Sequence, residues 1–144
     1  MEFNTEYSAE LLAAQALATP EELIDLKFSL AEARIVVRTL EENKSEVSSN
    51  RPKVKQVIDQ VIYPLKQAVF GVEENVTIES QITQIQAITA STVLGYGVMS
   101  ITNPEEKSLV DGVIEDIQAA LVEANNYAAY AMIEGKKQSQ LDLN

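Results

Sequence analysis

Val76-Thr77-Ile78-Glu79-Ser80-Gln81-Ile82-Thr83-Gln84-Ile85-Gln86-Ala87-Ile88-Thr89 is the stretch on which the fold class turns. Its β-branched residues, with Thr92 and Val93 beyond them, suit strands on propensity alone, because a branched Cβ packs well on a pleated surface. The spacing points elsewhere. Ile78, Ile82, Ile85, Thr89, Thr92, Tyr96 and Met99 recur at alternating steps of four and three, the repeat of one helix face, and strict period-two alternation is not sustained beyond a few residues. A helix is expected here, and with it an all-α chain.

The same region is the least charged of the molecule. No Asp, Glu, Lys or Arg occurs from Ser80 to Pro104, although 23% of the chain is charged. Within it Ala87, Ser91 and Gly95 fall four apart, a stripe of small residues that lets two helix backbones approach closely. Such a helix is covered either by its own bundle or by another subunit, and in the second case Ala87, Ser91, Gly95, Tyr96 and Met99 form the contact face. A membrane span is not expected, because Gln81, Gln84 and Gln86 and several hydroxyl residues make the stretch too polar and its most apolar part is too short. Gly95-Tyr96-Gly97 is not a phosphate loop: no Lys-Ser/Thr follows it and no strand is expected before it. Its expected role is to loosen the helix end and lay Tyr96 across a neighbouring backbone.

Working outward, Thr19-Pro20-Glu21-Glu22 combines an N-cap hydroxyl, proline at the first helical position and a glutamate placed to close a capping box. A helix over 20–47 is expected, with Leu23, Leu26, Leu30, Ala33, Val37 and Leu40 on one face and Ile24, Phe28, Ala31 and Ile35 on a second. Pro52 opens the next helix, whose buried face is Val54, Val57, Ile58, Val61, Ile62, Leu65 and Val69 and whose stop is Gly71. Pro64 lies inside it, so a kink or break is expected near Tyr63. Asn103-Pro104-Glu105-Glu106 repeats the first start signal almost letter for letter and begins a last helix running to about Glu134, ahead of a polar tail over 136–144. Beyond those caps the two capped helices do not align, so no duplication is read. With a shorter helix at Ser8 to Leu17, the expected fold is a single domain over 1–144, an antiparallel four-helix bundle with an additional short N-terminal helix.

Composition then narrows function. The chain of 144 residues has no cysteine, histidine or tryptophan. That removes disulfides, Cys/His zinc sites, thiol nucleophiles and imidazole bases. Carboxylates alone offer little: a ferritin-like di-iron site needs Glu-x-x-His on two helices, and nothing in the pattern marks a cleft for a paired-carboxylate hydrolase. Neither a metal nor a cofactor is expected. The net charge of −11 argues against direct binding to nucleic acid or to an anionic membrane. Most of it lies late in the chain: residues 1–72 hold 11 acids and 8 bases, and residues 73–144 hold 11 acids and 3 bases. Asp111, Glu115, Asp116 and Glu123 form the candidate acidic partner face, while Arg51, Lys53 and Lys55 could meet an acidic pole on a neighbouring copy.

The first ten residues carry three glutamates and no basic residue, unlike a secretory signal, so a cytoplasmic or virion setting is expected. Without a leader, the acceptor-like tripeptides at Asn43 and Asn75 are read as chance. The functional expectation is a non-enzymatic structural or assembly subunit, homo-oligomeric through helix-helix contacts, in a virus particle or another multi-protein complex. The alternative is an acidic inhibitor or nucleic-acid mimic that fills a basic groove of a partner protein.

Overall fold

The computed structural model describes residues 23–73, 75–124, 126–127 and 129–135. The expected helix at Ser8 to Leu17, the Thr19-Pro20 cap and the tail over 136–144 lie outside the described residues. The chain is mostly helical, as expected, but it carries a small two-stranded sheet. Its elements in chain order are β1 (Leu23–Ser29), α1 (Leu30–Val47), α2 (Pro52–Val69), β2 (Thr77–Thr83), α3 (Gln84–Val98) and α4 (Pro104–Glu123), and residues 129–135 are helical again.

The strands correct the helices expected over 20–47 and from Ile78. In β1, Ile24, Leu26 and Phe28 point into the core and Asp25 and Lys27 point out; in β2, Ile78 and Ile82 are inside and Thr77, Glu79 and Gln81 outside. Over so few residues the period of two and the period of 3.6 share positions such as Ile24 and Phe28, four apart. What decides is a partner distant in sequence: β1 and β2 pair antiparallel, with Leu23 opposite Thr83 and Ser29 opposite Thr77.

Each strand ends where its own last residue caps the following helix. Ser29 Oγ accepts from the Glu32 amide at 3.1 Å while the Ser29 amide donates to Glu32 Oε1 at 2.8 Å. Thr83 and Gln86 make the same reciprocal pair at 3.1 and 3.0 Å. These are capping boxes that satisfy amides a helix start leaves open. Their locations expose a repeat: Ser29 and Thr83 are 54 positions apart, as are the starts of the strands, Leu23 and Thr77. In that register Ile24, Ala33 and Leu40 meet Ile78, Ala87 and Leu94, all six buried. The chain is therefore a β-α-α unit followed by a second β-α-α unit.

The halves are related by a pseudo-two-fold axis through the ribbon, since Leu26 and Ser80, 54 apart, are direct partners in the pairing. They interlock. α1 packs on α3 across the axis, α2 lies on the other half's β2 and α3, and α4 lies on the other half's β1 and α1. One continuous apolar core runs through both, including Leu40, Ile58, Ile88, Leu94, Val110 and Ile117.

Two further expectations are modified. Pro64 does not break α2, which runs unbroken from Pro52 to Val69. Pro64 and Gln60 both face solvent, so the carbonyl that loses its donor can be hydrated. Gly71, at φ 72°, ends that helix in the expected left-handed conformation. The last helix stops at Glu123 instead of running on to about Glu134. There the Asn126 amide turns back to the Leu121 carbonyl at 2.8 Å, and its side-chain oxygen accepts from Ala129 at 3.2 Å, starting the segment at 129–135 afresh.

Candidate functional site

The uncharged helix lies at the centre of the molecule. Ala87 and Ser91 are buried inside the chain, Gly95 and Tyr96 are half-buried, and Met99 is exposed. The Tyr96 hydroxyl donates to Glu46 on α1, an interaction that raises the phenol's pKa. The close approach between helices occurs at Gly97. A β-carbon there would come within 2.6 Å of both Asn43 Nδ2 and Thr39 Cγ2, so any larger residue must push these two α1 side chains aside. The small-residue stripe read from sequence thus ends two residues before the glycine packed against α1.

The last described residues bond to the start of this helix and to α4. Asn126, almost fully buried, donates from Nδ2 to Gln84 Oε1 at 2.9 Å, and Gln118 donates to Glu134 at 3.0 Å. Ala129, Met132 and Ile133 enter the core. These buried amides have partners, as burial requires.

The four acids of the candidate partner face, Asp111, Glu115, Asp116 and Glu123, all lie on the outer side of α4 and are exposed. The Asp116 carboxyl is held above its ordinary pKa, first by partial burial and then by the negative charges of Glu32 and Glu115. Like charges from α1 and α4 therefore converge there. Glu106, at the start of α4, is instead bound by the two terminal guanidinium nitrogens of Arg38, each at 2.8 Å, which holds its carboxyl below the usual range. Among the described residues no group of three Asp or Glu side chains is placed to hold a metal ion, and no helix is long and apolar enough to cross a membrane.

A second surface feature is not marked by the sequence reading. Gln56, Gln60, Tyr63 and Gln67 recur along α2 at steps of four and three, Phe70 follows at the next step as the residue that ends the helix, and all five face solvent. None is charged. Tyr63 is 67% and Phe70 85% exposed, high for aromatic side chains. The signal was present in the sequence as a second stripe on α2, but the apolar face of Ile58, Val61, Ile62 and Leu65 dominates the pattern there.

No protein-family model, curated protein or solved structure matches this chain.

Proposed function

We propose that the chain is a non-enzymatic assembly subunit that pairs with further copies of itself through a helix-helix contact, as a part of a larger protein complex. The observation that carries this reading is the exposed, uncharged stripe of Gln56, Gln60, Tyr63 and Gln67 on α2, continued by Phe70 just past its end. Its four-three spacing is that of a helix seam. Large aromatics exposed at the end of such a seam are the kind of anchor that protein interfaces favour. Charge supports a second copy as the occupant: Lys53 and Lys55 are exposed at the start of α2, and the acids of α4 are exposed on every copy. A surface that is acidic overall, with net charge −11, also fits a protein partner better than a nucleic acid.

Light scattering on the intact chain at tens of micromolar tests this. A mass above that of one chain is expected, and Tyr63→Lys with Phe70→Glu should return it to a monomer with unchanged circular dichroism. A wild-type chain that is strictly monomeric contradicts self-association.

The convergence of Glu32, Glu115 and Asp116 favours one alternative, an acidic inhibitor that fills a basic groove. In that case binding to a basic probe such as polylysine weakens steeply with salt, and reversing the charges of Asp111, Glu115, Asp116 and Glu123 abolishes it. Binding that survives the reversal removes the alternative.

A further inference from the structure

Where the pseudo-two-fold axis crosses the molecule, it brings residues of one half against their own counterparts in the other. In the ribbon that pair is Leu26 and Ser80. Between α1 and α3 it is Asn43 and Gly97, again 54 positions apart. Both times a large side chain of the first half meets a small residue of the second. Two first halves together would set Leu26 against Leu26 and Asn43 against Asn43, although Asn43 already lies within 2.6 Å of where a β-carbon on residue 97 would stand. The interface therefore selects a first half for a second half, but it does not register which chain supplies each.

The link between the halves is slight. Residues 70–76 join them; Phe70, Gly71, Glu73, Asn75 and Val76 are exposed, and the Arg34 guanidinium donates to the Val72 carbonyl. We propose that the chain has a second assembled state, a reciprocal dimer in which the first half of each copy pairs with the second half of the other. Every interface between halves is then remade unchanged, as in other exchanges of identical elements between protomers. A short tether gives the partner half an effective concentration of about millimolar, so the closed chain dominates in dilute solution. A tether too short to span the two halves reverses that preference. This inference goes beyond the assembly reading, which uses the outer face of α2 on an intact chain; exchange needs no such face.

The chain has no cysteine, so introduced ones report the pairing. Asp25 and Gln81 are direct partners in the ribbon, and opposed antiparallel residues have Cα atoms about 4.5–5.5 Å apart, within disulfide range. Full-length Asp25→Cys and full-length Gln81→Cys, distinguishably tagged, are mixed in denaturant and refolded together at a concentration approaching millimolar. The mixed disulfide should form at least tenfold more than when the two are refolded separately and then mixed. In a Asp25→Cys/Gln81→Cys double variant, deleting residues 73–75 should convert the disulfide from within one chain to between two, already at micromolar concentration. Adding Tyr63→Lys and Phe70→Glu should leave these cross-links in place; their loss would assign the dimer to the α2 seam and overturn exchange. Equal cross-linking in the co-refolded and separately refolded samples overturns it as well. That arm keeps the natural tether, so it decides even if the deletion variant does not fold.

Discussion

The two β-α-α halves occupy equivalent places around one axis, yet their first helices differ sharply in charge. α1 carries Glu32, Arg34, Arg38, Glu41, Glu42, Lys44 and Glu46, and is tied to α2 by Lys44–Asp59 and Lys66–Glu41, each at 3.0 Å. α3 carries no charged residue. The repeated backbone cannot explain this, because both helices start from the same capping geometry and cross each other at the same contact. Coverage explains it. α3 is buried or half-buried along its whole length, with Asn126 bonded to Gln84 at its start, and charges under such a cover would need buried partners. The difference teaches that charge here follows what lies outside each helix, while the shared core positions follow the repeat.

Several substitutions test how far the equivalence of the halves extends. The largest effects should come from Leu40→Ala and Leu94→Ala, counterparts that are both fully buried. Each should cost about 2–5 kcal/mol in urea unfolding, and a gap between them approaching the whole of that range would break the comparison. Next come two helical glycines. Gly97→Ala should cost about 1–3 kcal/mol because the Thr39 and Asn43 side chains of α1 must give way. Gly112→Ala, whose added carbon meets nothing within 4 Å, should stabilise by up to about 1 kcal/mol. Destabilisation at both positions would mean that the crossing of α1 and α3 is not what constrains Gly97. The smallest effects should follow loss of the caps: Ser29→Ala and Thr83→Ala are each expected to lower stability by about 1 kcal/mol. Unequal losses would show that only one strand-helix junction depends on its box.

Much of this architecture was legible in the sequence. The helix starts at Pro52 and Pro104, the stop at Gly71 and the neutrality of 80–104 all follow from local chemistry and appear where expected. The strands do not, for a physical reason. Ile24, Leu26 and Phe28 alternate with Asp25 and Lys27, but a seven-residue window also fits a helix, and only pairing with β2, far along the chain, makes the strand the better state. The clue that was local was the second pair of capping boxes. Ser29 to Glu32 and Thr83 to Gln86 mark the true helix starts and, being 54 apart, also mark the repeat. The expected contact residues divided similarly. Ala87 and Ser91 lie inside the chain because a stripe of small residues specifies close packing without saying which chain supplies the neighbour. Gly97 does that work through Asn43 and Thr39, side chains whose proximity only the fold determines.

The central claim is that the two halves form one interlocked unit and not two adjoining ones. Native-state amide hydrogen exchange on the intact chain, followed across low concentrations of denaturant, tests it most directly. The slowest amides of α1 and α3 should share one opening free energy equal to that of global unfolding, and they should change together with denaturant. If one half exchanges through its own opening, several kcal/mol below the other, the interlocked account is contradicted.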